Sequence, residues 1–261
     1  MTCGISTACF YPMHTEEALR LICSIPVQCT EIFFNCEYEI SPGYINELKS
    51  IADGSGVSIT SLHPYTSGME PILFFSGYDR RFEQGRDMYK RYYQACAQAG
   101  AKYIVFHGGS ASADPDACRY FERYNILLED AKAWGVELCH ENVSRCAGKH
   151  LSFFAAMKKL LPDAGYVFDV KQAIRSGHDP TEMAELLGAN IRHIHISDHD
   201  ESRDCLPPGQ GVFNIGKFLS TISQNGYSGA LVVELYQENF SSIVEITQGY
   251  QLLSRGISTA T

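Results

Sequence analysis

The chain has 261 residues, 45% hydrophobic and 20% charged, enough apolar material for a sizeable core and too much for a disordered chain. A formal net charge of −9 argues against general nucleic-acid binding, because an acidic surface repels phosphate backbones. The ten cysteines include no C-x-x-C pair, so they read as small buried hydrophobes in a reducing compartment rather than a disulfide framework.

The N-terminus lacks a basic segment followed by an apolar run, and no apolar stretch approaches the ~18 residues of a membrane span. The expectation is a cytoplasmic protein that does not cross a membrane. From there short β-branched or aromatic runs alternate with longer amphipathic segments. A strand is expected over Gly4–Phe10, then a helix over Thr15–Cys23. Strand Gln28–Phe34 precedes helix Pro42–Gly54, and strand Val57–His63 precedes helix Asp79–Ala99. The fourth pair is Tyr103–His107 with Ala113–Trp134; the fifth is Val136–Glu141 with His150–Leu160. Strand Gly165–Asp169 leads to helix Pro180–Leu187, Ile191–Ser197 to Ile215–Asn225, and Ala230–Leu235 to Ser241–Arg255. Asp179-Pro180 supplies an N-cap and a proline in the first turn. Gly100 and Gly135 fall where a left-handed residue ends a helix.

Eight βα pairs without a linker or a second composition regime predict one α/β domain spanning residues 1–261, a (β/α)₈ TIM barrel. A doubly wound open sheet is the structural alternative, but the first βα turn carries no G-x-G-x-x-G. The segments after the third and seventh strands, Pro64–Gly77 and Asp198–Asn214, are long and fall on the face where barrels place their sites.

Polar residues gather at strand ends: His63, His107, Glu141-Asn142, Asp169, His193-x-His195-x-x-Asp198 and Glu234. In a barrel these ends converge on one mouth. Glu141, Asp169, His195 and Glu234 follow one another at 28, 26 and 39 residues, roughly one βα unit each. Three carboxylates crowded together repel and raise their pKa values; a divalent cation such as Mn²⁺, Mg²⁺, Co²⁺ or Zn²⁺ removes that cost. The plainer alternative is a set of hydrogen-bonded strand caps.

His107-Gly-Gly, Glu141-Asn, Asp169, His193-x-His195-x-x-Asp198, Pro207-Pro-Gly-Gln-Gly211 and Val-Val-Glu234 together resemble the xylose-isomerase-like barrel superfamily of sugar and sugar-phosphate isomerases and epimerases, which also holds the endonuclease IV type of abasic-site nuclease. The resemblance implies one divalent metal held by Glu141, Asp169, His195 and Glu234, with Glu141 and Glu234 as paired acid/base groups on a small carbohydrate. It also implies a substrate pocket lined by His63 and His107. His193 shares a face with His195, as a substrate or supporting residue. Arg145, four residues after Glu141, and Arg203, in the long segment after the seventh strand, are candidates for a phosphate or hydroxyl, with surface exposure the plainer reading of each, and Glu31 matches a glutamate common near the end of the second strand.

Two departures matter. Many relatives read Asp-x-x-His on the sixth strand, whereas this chain reads Asp169-Val-Lys171-Gln172, so Lys171 or Gln172 is expected to take over the substrate contact of that histidine. The nuclease branch needs an Asp-x-His after the seventh strand, which the loop around Arg203 lacks. The expected function is therefore an isomerase or epimerase. A keto-polyol dehydratase is the alternative; an abasic-site nuclease or a non-catalytic sugar-binding barrel ranks lower. No nucleic-acid or membrane partner is expected, and a homo-oligomer is left open.

Overall fold

The computed structural model describes residues 1–111 and 117–260. Eight parallel strands close into a barrel in sequence order, each paired with the next and β1 with β8. They are β1 (Thr2–Ser6), β2 (Cys29–Phe33), β3 (Ser58–His63), β4 (Tyr103–Phe106), β5 (Glu137–Glu141), β6 (Tyr166–Asp169), β7 (Ile191–Ile196) and β8 (Ala230–Val233). Around them, in chain order, lie α1 (Thr15–Cys23), α2 (Pro42–Gly54), α3 (Glu70–Phe75), α4 (Asp79–Ala99), α5 (Ala117–Lys132), α6 (Leu151–Leu160), α7 (Val170–Arg175), α8 (Pro180–Leu187), α9 (Ile215–Gln224) and α10 (Ile243–Ala260).

The helices take their places through one apolar stripe each. Helix α1 buries Thr15, Ala18, Leu19 and Ile22, and α9 buries Ile215, Phe218, Leu219 and Ile222; both follow the i, i+3, i+4, i+7 spacing of a core-facing helix. Asp179 caps α8 by accepting from the amides of Thr181 and Glu182, ahead of Pro180. Gly100 ends α4 at φ 76°. Tyr89, Tyr92 and Tyr93 are fully buried on α4, so that tyrosine stripe is an interhelix contact.

Strand parity divides each strand between two environments. One face packs outward on the helices through Ile32, Leu62, Ile104, Phe106, Leu138, Phe168, Ile194 and Leu231. The other fills the barrel bore, where Cys29, Ala230 and Val232 form one small cluster and Val105, Cys139 and Val167 another. Two residues further along each bore-facing row come the polar ends: Cys29 leads to Glu31, Val105 to His107, Cys139 to Glu141, Val167 to Asp169 and Val232 to Glu234. A bore filled by small side chains at one level thus carries ionisable groups at the next, on the C-terminal side.

The structure corrects several boundaries. The first strand, expected over Gly4–Phe10, ends at Ser6 and turns into a 3₁₀ segment over Thr7–Phe10, because the Ser6 hydroxyl accepts from the amide of Ala8 and caps that turn. Two short helices fall where loops were expected. Helix α3 lies within the segment after β3, and α7 follows β6 directly because the Asp169 carboxylate accepts from the Gln172 amide. Residues 113–116 of the expected helix Ala113–Trp134 lie outside the described residues.

Candidate active site

Glu141, Asp169 and His195 end β5, β6 and β7, and their ligand atoms lie within 4.8 Å of one another. All three are buried. His195 Nδ1 stands 3.3 Å from Glu141 Oε1, 3.8 Å from Asp169 Oδ2 and 3.7 Å from Glu234 Oε2. On its other side, His195 Nε2 lies 3.0 Å from Glu31 Oε2. A proton on Nε2, donated to Glu31, leaves Nδ1 bare towards three carboxylates, and a carboxylate behind an imidazole is how metal-binding histidines are held in their tautomer.

Glu31 is itself fully enclosed. Ser61 Oγ donates to it at 2.8 Å, Ser6 Oγ lies at 3.3 Å and His193 Nε2 at 3.1 Å. His193 therefore belongs to the layer beneath the mouth. Burial opposes ionisation of Glu31, but His195 and His193 hold its carboxyl well below the usual range. The same competition governs His195: burial disfavours its charge, yet Glu31 and Glu234 push its pKa well above the ordinary value.

Positive charge is therefore drawn to this centre. Asp169 Oδ2 and Glu141 Oε2 are buried without a well-aligned hydrogen-bond donor, although His107 Nε2 comes within 2.9 Å of the latter. Two carboxylate oxygens without a well-aligned donor among the described residues, together with His195 Nδ1 once its proton is displaced, fit a divalent cation in donor type and spacing. Glu234 does not join the three-residue cluster; the ammonium of Lys171 holds it at 2.8 Å and stands 3.3 Å from Asp169 Oδ2.

Above the centre lies a cavity of about 250 Å³ bordered by Phe33, His63, Tyr65, His107, Glu141, Arg145, Lys171, Gln172, Glu234 and Tyr236. It is smaller than the roughly 300–1,000 Å³ of drug-sized ligand sites. A cavity of about 650 Å³ opens near Lys102, Lys132, Glu137 and Arg192, but it lies near the strand starts, away from the ionisable cluster, so the smaller one is the candidate site. His107 Nε2 lies 3.1 Å from His63 Nε2, and Arg145 Nη2 donates to His107 Nδ1 at 3.1 Å. Burial and the neighbouring His107 lower the His63 pKa to about 4, so that ring is neutral at pH 7.

The two candidates after Asp169 separate. Lys171 reaches the centre, whereas the Gln172 carbonyl accepts from the amide and hydroxyl of Ser144 at 3.0 and 2.9 Å and braces the turn after β5. Arg203 is not brought in: it is exposed and paired with Asp200, and it is not among the residues bordering the cavity. His178 bonds the Lys149 carbonyl, and His199 packs near Phe213.

The sequence did not single out Glu70 on α3. It is fully buried, accepts from the amide of Gly108 at 2.6 Å and receives the Tyr89 hydroxyl. Burial pushes its pKa up to about 7. Its only sequence signal was an acidic residue beside Met69 and Pro71, with nothing to show that its helix turns inward.

A parallel barrel with carboxylates and imidazoles gathered at the C-terminal strand ends defines a barrel-enzyme class of site. The chain belongs to the xylose isomerase-like TIM barrel family, whose model matches residues 20–255. It is 24% identical over 251 residues to fructoselysine 3-epimerase of Escherichia coli O157:H7, covering 90% of each chain. It is 23% identical over 242 residues to 3-dehydroshikimate dehydratase of Pseudomonas putida, covering 86% of this chain; the match spans 36% of that longer protein. Among solved structures, a D-tagatose 3-epimerase-like protein superposes with a TM-score of 0.82 at 20% identity, covering 100% of this chain and 98% of that one.

Proposed function

We propose that this protein is a divalent-metal-dependent isomerase or epimerase of a small sugar or sugar phosphate, with Glu141, Asp169, His195 and Glu234 as metal ligands and Glu141 and Glu234 as the acid/base pair. One observation carries the reading. Glu141 from β5 and Glu234 from β8 both border the same small cavity and both face the His195 nitrogen. Relatives named as epimerases at this length of match support it.

A bound divalent cation supplies electrostatic stabilisation of negative charge developing on substrate oxygens, and Mn²⁺, Mg²⁺, Co²⁺ and Zn²⁺ all suit three oxygens and one nitrogen. The protein's own groups do the rest. One carboxylate takes the proton from the carbon beside the substrate carbonyl, and that C–H electron pair moves towards the carbonyl oxygen to give an enediolate. The other, after taking up a proton from solvent, gives it to the opposite face for epimerisation, or to the neighbouring carbon for isomerisation, in which the hydroxyl proton of the enediolate also passes to the former carbonyl oxygen; the first carboxyl then releases its proton to solvent, and the carbon skeleton is unchanged. Burial raises the Glu141 pKa but is outweighed by His107 and His195, so its carboxyl stays ionised and ready to accept a proton. His63, His107 and Arg145 furnish donors and acceptors for substrate hydroxyls.

The test incubates D-fructose, D-psicose and D-tagatose with Mn²⁺-loaded protein in D₂O and follows deuterium uptake by mass spectrometry. Uptake next to the carbonyl with a new epimer or isomer is expected; no uptake in a panel that includes phosphorylated ketoses overturns the reading. The dehydratase relative favours one second reading, in which the same enediolate expels a neighbouring hydroxyl; a dehydrated product distinguishes it.

A further inference from the structure

Lys171 is the feature of this site that the proposed acid/base pair does not account for. Its side chain is 3% exposed, yet it borders the cavity rather than lying behind the carboxylates. An ammonium carries three donors. Glu234 Oε2 accepts one of them at 2.8 Å, while Asp169 Oδ2, 3.3 Å away, is near enough for charge attraction but not aligned as an acceptor. The Tyr236 ring stands 4.7 Å from Nζ and shields it from bulk water. The neighbouring Gln172 is committed to Ser144.

We propose that Lys171 is a further catalytic residue: its ammonium donates a hydrogen bond to the substrate oxygen on which negative charge develops, beside Glu234. This deepens the isomerase/epimerase reading and rests on it. Lys171 keeps all its protons throughout; the C–H proton passes to a carboxylate, the electron pair to the oxygen, and the lysine only stabilises the charge. Held by Glu234 on the wall of the cavity, such a donor is already in place when the charge appears, and a preorganised donor is what electrostatic stabilisation relies on. A cation that merely neutralised Asp169 and Glu234 would serve equally well behind them, out of reach of substrate.

The experiment compares wild type, Lys171→Met and Lys171→Arg on three readouts: Mn²⁺ binding by calorimetry, turnover of the ketose that wild type accepts, and binding of oxalate to the Mn²⁺-loaded protein. Oxalate is a planar dianion that resembles an enediolate and needs no turnover. For Lys171→Met the expected result is a fall in kcat of about 10²–10³ with KM changed much less, oxalate bound at least tenfold more weakly, and Mn²⁺ bound at least as tightly as in wild type. Lys171→Arg, which keeps the charge and the donors, restores part of both losses. The proposal is overturned if oxalate affinity and kcat stay within threefold of wild type, or if their loss tracks a loss of Mn²⁺ binding, which would make Lys171 a positioning residue only. Should wild type turn over no ketose, the functional reading fails alone, and oxalate binding still decides whether Lys171 faces a substrate oxyanion.

Discussion

Glu70 shows how one buried carboxyl gives the stability of this protein a pH dependence. Its folded-state pKa of about 7 lies above the ordinary 4.5. A group raised in this way favours the folded state fully below the unfolded value, and that contribution is lost as pH rises through the folded one. Comparing wild type with Glu70→Gln by thermal unfolding, the variant should gain stability relative to wild type from pH 5 to pH 8. A constant difference across that range would show that Glu70 is ionised throughout. The Tyr89 hydroxyl donates or accepts as needed, so the amide keeps a partner. At the centre, Glu141→Gln and Glu234→Gln should each lower kcat by about 10²–10⁴, the usual worth of a positioned acid or base. Steady-state rates within tenfold of wild type for either variant would remove that residue from the pair.

Two connections hold the site's elements in register. After β4 the chain turns through Gly108 at φ 84°, where an added Cβ would meet the Tyr120 hydroxyl at 2.2 Å and His140 Nε2 at 2.4 Å. Gly108→Ala combines a left-handed backbone with a clash against a buried Tyr120–His140 hydrogen bond of 2.7 Å. It should cost about 1–3 kcal/mol or more, read as a lowered Tm. After β7, Asp198 accepts from the amides of His199, Gly209 and Phe213 at 2.8, 2.9 and 2.9 Å. This buried carboxylate organises the long Pro207-Pro-Gly-Gln-Gly211 loop from within. Asp198→Ala strands three amides; faster proteolytic cleavage between residues 199 and 213 is expected, and an unchanged cleavage rate would mean that the prolines alone fix the loop.

For the molecule as a whole, the carboxylates of the barrel mouth set a link between cation binding and folding. A cation that binds the folded chain and not the unfolded one adds about 2.7 kcal/mol at a hundredfold excess over its Kd. Mn²⁺ should therefore raise Tm, and EDTA should reverse the rise. Equal melting curves with Mn²⁺ and with EDTA would argue that Lys171 and His195 neutralise the site without a metal.

The alternation of short apolar runs with amphipathic helices was enough to give eight βα pairs and the barrel, because the period of two and the period of 3.6 are local properties of the chain. The gathering of polar residues at successive strand ends likewise pointed to one mouth holding Glu141, Asp169 and His195. Local pattern says nothing about where a flexible side chain ends or what folds behind a loop. Lys171 and Gln172 adjoin in sequence yet part ways, one towards Glu234 and the other towards Ser144. Arg203 was open to either a substrate contact or plain exposure, and the fold leaves it exposed and paired with Asp200. Glu70 became a support of the β4 turn only when α3 folded inward. These outcomes depend on which partners from distant strands come within about 3 Å, and only the closed barrel sets those distances.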